Sequence, residues 1–152
     1  MEYQIINIIV LLALVAITAY YAIQTKKIVK ENQKSRYIQY LEKRLSYVYS
    51  PLLRLLEEAE RIPRSGIVDK KEEIFINKGQ LKKIEDIFKH YRYLMSKKLI
   101  DKLLKLLQNL NSLEYHEQDG LSYDVDEINE INNIVSKEYG EIQETLDRMI
   151  EI

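Results

Sequence analysis

At 152 residues the chain has room for one domain plus appendages. It contains no cysteine, which excludes disulfides and thiolate chemistry and fits a reducing compartment. A formal charge of -1 argues against a generic nucleic-acid binder, and four Gly and two Pro among abundant Ile, Leu, Lys, Glu and Tyr point to a helical chain with few loops.

The distribution of charge says more than its sum. Residues 26–50 carry seven Lys/Arg against two Glu (net +5), residues 51–113 fourteen basic against nine acidic (+5), and residues 114–152 two against twelve (-10). The chain therefore runs from basic beside its N-terminal apolar segment to acidic at its far end, the polarity expected when one end sits on anionic lipid.

That apolar segment comes first in chain order. Of the nineteen residues from Ile5 to Ile23, seventeen are apolar or aromatic, Asn7 and Thr18 being the exceptions, and no charge occurs from Tyr3 to Thr25. As a helix it spans roughly 28 Å, close to the hydrocarbon thickness of a bilayer. Its eleven Leu, Ile and Val residues favour insertion by about 3–7 kcal/mol. Tyr3 at one edge and Tyr20 and Tyr21 at the other are placed as interfacial anchors. A cleaved signal peptide would need a basic start and a small-x-small cleavage site, and neither is present. A buried core helix would keep a polar stripe, which is also lacking. Lys26, Lys27, Lys30, Lys34 and Arg36 follow the segment and no Lys or Arg precedes it. The positive-inside rule thus predicts an N-terminus outside the cell membrane and a cytoplasmic C-terminal domain. A transmembrane anchor over residues 1–25 and a helical domain over 26–152 follow. No ionisable side chain lies within the segment, so it lacks the usual mark of an ion path.

Beyond the anchor, Tyr37, Leu41, Leu45, Val48, Leu52, Leu55 or Leu56, and Ala59 recur at three- and four-residue steps. This stripe predicts an amphipathic stem helix over about 26–61. Ser50-Pro51 either kinks that helix or breaks it. Pro63 and Gly66 then end the element. Residues 67–76 mix β-branched pairs with a charged run and are expected to form a loop with a short helix. Asn77 and Gln80 make a capping pair for a helix over about 78–95, with Leu81, Ile84, Ile87, Phe88, Tyr91 and Leu94 or Met95 on one face. Ser96 caps a further helix over about 97–115, whose stripe is Leu99, Leu103, Leu106, Leu107 and Leu110. Gly120 marks a loop. Asp124 and Glu127 pair ahead of a last helix, 124–150, with Val125, Ile128, Ile131, Ile134 or Val135, Tyr139, Ile142, Leu146 and Met149 inward. Gly140 weakens it slightly. The predicted fold class is all-α: an N-terminal transmembrane helix, its amphipathic stem, and an antiparallel helical bundle.

The residues that carry chemistry elsewhere are sparse here. His90 and His116 are the only histidines, and neither Glu-x-x-His nor H-E-x-x-H surrounds them, so no metal ligand is nominated. Asp119, Gly120, Asp124, Asp126 and Glu127 lack the alternating ligands of an EF-hand loop, and capping and solvation account for them. No Walker loop, G-x-S-x-G elbow or G-x-G-x-x-G is present, and Ser65-Gly66 reads as a turn. Tyr37, Tyr40, Tyr47 and Tyr49 among Lys34, Arg36, Lys43 and Arg44, and the run His90 to Leu94, invite nucleic-acid stacking, yet such tyrosines more often pack at a bundle edge. No catalytic, cofactor-binding or metal-binding residue is assigned.

Two segments carry a resemblance. The run LEKRLSYVYSPLLRLL at residues 41–56 follows QTKKI at residues 24–28, and HYRYLMS occupies residues 90–96. Together they resemble a loose group of small prokaryotic single-pass membrane proteins with a cytoplasmic helical domain. The resemblance implies a membrane-anchored helical domain without assigned activity, and it transfers no functional residue.

The expected partners are the lipid bilayer and a second copy or another protein met through the amphipathic helices; nucleic acid and cofactors are not expected. The expected role is a non-enzymatic, membrane-tethered interaction or scaffold module. The alternative is a small oligomerising sensor or toxin-like protein whose span carries the activity. A membrane-bound enzyme would need titratable groups converging on a polar pocket.

Overall fold

The apolar segment opens one long helix. The computed structural model describes residues 2–63, 72–108 and 120–150, and in it α1 runs Glu2–Arg44. The chain divides into two compact units, Met1–Gln39 and Tyr40–Ile152, so the boundary lies fourteen residues beyond the end of the uncharged run. In the first unit, every large apolar side chain described from Ile6 to Ile23 is more than half exposed, from 52% for Ile17 to 68% for Ile23. Leu41 is the first buried residue of the second unit.

The helical path does not stop at Pro51. Leu45–Tyr49 forms a π-helical turn, closed by the Ser50 N–H donating to the Leu45 carbonyl five residues back, and α2 then runs Ser50–Glu57. The wide turn has a local cause: Pro51 lacks an N–H and its ring crowds the carbonyl four residues earlier, on Tyr47. Within the turn the consecutive side chains of Val48 and Tyr49 are both buried. Leu41, Val48, Leu52, Leu55 and Leu56 thus turn inward, whereas Tyr37 remains exposed.

The chain is mostly helical, with one correction to the all-α expectation. A three-stranded antiparallel sheet of order β1-β2-β3 is formed by Glu60–Pro63 (β1), Glu72–Asn77 (β2) and Gly120–Asp124 (β3). Residues 60–61 are expected at the end of the stem helix, 72–76 as loop and short helix, and 120 as loop; α2 instead ends at Glu57 and all three segments are strand, because backbone pairing within the sheet outweighs the local helical pattern. In β2 the period is two: Ile74 and Ile76 are buried and Phe75 half-buried. Ile74 stands opposite Tyr123 and Ile76 opposite Leu121, so β3 covers the same apolar face. Residues 64–71, which hold most of the charged run, lie outside the described residues.

Capping chemistry starts the remaining helices. Asn77 Oδ1 accepts from Gln80 N (2.9 Å) and Gln80 Oε1 accepts from Asn77 N (3.0 Å), a complete capping box at the head of α3, Lys78–Tyr91. A 3₁₀ turn, Arg92–Leu94, leads to α4, Lys97–Gln108, where Ser96 Oγ accepts from Leu99 N at 3.2 Å. Residues 109–115 of the expected third helix lie outside the described residues. The last helix, α5, runs Val125–Ile150, and Asp124 Oδ1 accepts from Asp126 N at 2.9 Å rather than engaging Glu127.

Within the second unit α5 touches α2, the π turn, α4, β2 and β3, while α3 packs on α2, α4 and the sheet. Leu52, Leu81, Ile84, Leu99, Leu103, Leu106, Ile128 and Ile131 fill the core. The buried Tyr123 hydroxyl donates to the Leu106 carbonyl at 3.0 Å, satisfying one of the orphan acceptors in the last turn of α4.

Candidate functional site

Among the described residues, the polar feature with the most convergent partners sits where the π turn meets α4 and α5. The π turn delivers the Tyr49 side chain inward, one turn after Arg44 at the end of α1. Arg44 Nε donates to the Leu94 carbonyl at 2.8 Å, and Arg44 Nη2 donates to the Tyr49 hydroxyl at 2.7 Å. The Tyr49 hydroxyl in turn donates to Glu138 Oε2 at 2.5 Å, and Ser96 Oγ donates to Glu138 Oε1 at 2.6 Å. Arg44 Nη2 stands 3.8 Å from Glu138 Oε2, and both side chains keep only 19% of their surface exposed. The guanidinium also lies over the rings of Tyr49 and Tyr40, at 5.2 and 5.8 Å from the centroids.

Each of the four side chains has at least one hydrogen-bond partner, which offsets the cost of partly burying the ion pair. Burial pushes the Tyr49 hydroxyl well above the ordinary tyrosine range, and its hydrogen bond to Glu138 raises it further. The phenol therefore stays protonated at neutral pH and acts as a donor, not as a base or nucleophile. The chemistry available to this cluster is mechanical: it ties the end of the stem to the head of α4 and the middle of α5.

Two concavities lie in the second unit, the first bordering the cluster at Glu138. One of about 150 Å³ is lined by Lys98, Ile134, Lys137, Glu138 and Glu141. The other, of about 420 Å³, lies between α2 and α3 and is lined by Pro51, Arg54, Leu55, Glu58, Lys83, Asp86 and Ile87. Arg54 and Lys83 there face Glu58 and Asp86, so opposite charges balance and neither ligand sign is favoured. Arg54 Nε holds Glu58 Oε1 at 2.8 Å, a hydrogen bond that lowers the Glu58 pKa.

The residues weighed from sequence are scattered. His90 is exposed on α3, its Nδ1 2.8 Å from the Asp86 carbonyl. His116, Asp119, Ser65 and Gly66 lie outside the described residues. Among the described residues no three His, Cys, Asp or Glu side chains are grouped to hold a metal ion. Of the four stem tyrosines, Tyr49 is withdrawn into the cluster, while Tyr47 stacks on Tyr91 with ring centroids 5.0 Å apart and planes 11° from parallel. Arg92 lies over the Phe88 ring at 5.4 Å. Tyr91 therefore packs on the stem and Phe88 beneath Arg92, while Tyr93 stays exposed.

Sequence reading treated Ser96 as a cap and did not single out Glu138. Nothing local marks them, because Ser96 and Tyr49 reach Glu138 across 42 and 89 residues.

Comparison with protein-family models, with curated proteins and with solved structures finds no match to this chain.

Proposed function

We propose that this chain is a single-pass membrane protein whose helix over residues 5–23 anchors a cytoplasmic helical domain, and that the domain serves as a membrane-tethered interaction module. The observation that carries the reading is the exposed apolar surface from Ile6 to Ile23 on a helix long and apolar enough to cross a bilayer. Left in water, so large a contiguous apolar surface would drive association, whereas lipid accepts it. The cations that follow the span favour a cytoplasmic domain. The packing of α2 and α4 about α5 supports reading the helices as an antiparallel bundle. This plan is the one shared with the small prokaryotic membrane proteins that residues 41–56 and 90–96 resemble.

Tethering works through concentration. Two chains or a chain and its partner confined to one membrane meet more often without any new contact. The stem stripe offers a partner less than its sequence promised, since Leu41, Val48, Leu52, Leu55 and Leu56 are buried within the chain's own domain. Ile28, Val29 and Tyr37 are the large apolar or aromatic side chains that remain exposed between residues 26 and 39.

A second reading, self-association of the span itself, is favoured by a shallow apolar groove on α1 lined by Leu11, Leu14, Val15, Thr18, Ala19 and Ala22. Small residues at such a groove let another helix approach closely. Ala22→Leu would fill it and reduce crosslinking between copies if this reading is right.

Orientation is open to a direct test, because the chain contains no cysteine. Single-cysteine variants Gln4→Cys and Ser136→Cys are exposed to a membrane-impermeant maleimide on intact cells and after permeabilisation. Labelling of position 4 in intact cells, with position 136 labelled only after permeabilisation, supports the reading. The reverse pattern overturns the orientation, and equal labelling of both in intact cells overturns the span.

A further inference from the structure

Immediately after the span, α1 carries its cations on one side. Lys26, Lys30 and Lys34 follow at four-residue steps, and Lys27 lies about 100° round from Lys26. The four ammonium groups therefore occupy an arc of about 100° on the helix, with Arg36 on the other side. Lys26, Lys27 and Lys30 are exposed and Lys34 partly so. Among the described residues no ion pair engages any of the four, and Glu31, the sole acid between Tyr3 and Leu41, is set beside the arc rather than within it.

The axial spacing matches a headgroup layer. A bilayer's polar region adds roughly 5–8 Å on each side of its hydrocarbon core. With Thr25 at the end of the uncharged run, Lys26, Lys27 and Lys30 lie within about 8 Å of that end along the axis. Lys34, about 6 Å further, remains within roughly one Debye length of the surface at physiological salt. Flexible stems let each ammonium reach sideways to the lipids around the helix.

We propose that this lysine face binds the headgroups of anionic phospholipids and gathers them about the cytoplasmic end of the span. Zwitterionic lipids also carry a phosphate, but their own ammonium cancels it, so net headgroup charge decides the preference. The inference rests on the membrane reading above and adds the class of lipid that the chain selects. It also gives the basic end of the chain a partner that the acidic residues 114–152 would repel.

The chain has no tryptophan, which makes a local lipid probe simple to install. A single Ile23→Trp, at the edge of the hydrocarbon, is placed in the full-length chain. The protein is reconstituted in vesicles of equal phosphatidylglycerol and phosphatidylcholine, with bromine on the acyl chains of one lipid or the other. Reconstitution is verified by flotation. Quenching is expected to report phosphatidylglycerol over phosphatidylcholine beside the tryptophan at about two to one, against one to one in the bulk. That preference should vanish when Lys26, Lys27, Lys30 and Lys34 are all changed to Gln, persist when all four become Arg, and fall in 1 M NaCl.

Equal quenching by the two brominated lipids in the protein with its lysines intact would overturn the proposal while leaving the span untouched. A preference that survives the Gln substitutions would overturn it as well. Protein that fails to float with the vesicles would instead overturn the membrane reading beneath it.

Discussion

The Tyr49 hydroxyl donates a 2.5 Å hydrogen bond to Glu138 Oε2, joining the π turn at the end of the stem to the last helix across 89 residues of sequence. Because Arg44 and Ser96 bind the same pair, the four side chains behave as a unit whose members are costly to remove singly.

Tyr49→Phe deletes one hydroxyl from this unit and should lower stability by about 1–2 kcal/mol, whereas Glu138→Ala strands two donors and should cost about 2–3 kcal/mol. Urea unfolding of the detergent-solubilised full chain, followed by circular dichroism, measures both. The double variant should fall short of the sum of the singles, since they remove the same contact. Strict additivity would mean that the two side chains act independently.

Alkaline pH should loosen the domain through two tyrosines. Burial raises the Tyr49 hydroxyl beyond the ordinary range and pushes Tyr123 up to about 12, the charge of Glu127 adding to the latter. A folded-state pKa above the unfolded value near 10 means that the native state holds its proton while the unfolded chain has lost it. Stability from these groups is therefore fully present below pH 10 and declines as pH rises from about 10 through 12. The melting temperature should fall over that interval, and Tyr123→Phe should flatten the fall while removing the bond to the Leu106 carbonyl.

Two glycines should respond oppositely to alanine. A Cβ at Gly120 would meet the Ile76 carbonyl oxygen and the Phe75 ring, each at 2.5 Å, so Gly120→Ala should force β2 and β3 apart and cost about 1–3 kcal/mol. A Cβ at Gly140 meets nothing within 4 Å, and the residue lies inside α5. Gly140→Ala should gain about 0.5–1 kcal/mol from helix propensity alone. Thermal melts of the two variants check the signs directly.

Asn77 ends β2 and caps α3 at the same residue. Asn77→Ala removes the acceptor for Gln80 N and should cost about 1 kcal/mol, with Asn77→Asp restoring most of it. Amide hydrogen exchange should show the loss first in the opening turn of α3.

Local signals in the sequence were the readable ones. The Asn77 and Gln80 pair gave the start of α3 because a capping box is complete within four residues. The stripe Ile128, Ile131, Ile134 or Val135, Ile142 and Leu146 gave the buried face of α5 because 3.6-residue periodicity needs no knowledge of the partner. The sheet was hidden for the opposite reason. Ile74, Phe75 and Ile76 are good strand formers, but a strand is stabilised by neighbours, and the pairing of Ile74 with Tyr123 joins segments far apart in the chain. The π turn was hidden too: Pro51 announced a disturbance, but the buried Tyr49 hydroxyl meets its acceptor on Glu138, 89 residues away.

The central claim is that residues 5–23 lie in lipid. Membranes from cells expressing the full-length chain are washed with sodium carbonate at pH 11 and pelleted, beside a variant carrying Leu12→Arg and Val15→Arg. The account predicts that the unsubstituted chain stays in the pellet while the double-arginine variant is released. Its release into the carbonate supernatant as freely as the variant would contradict the account.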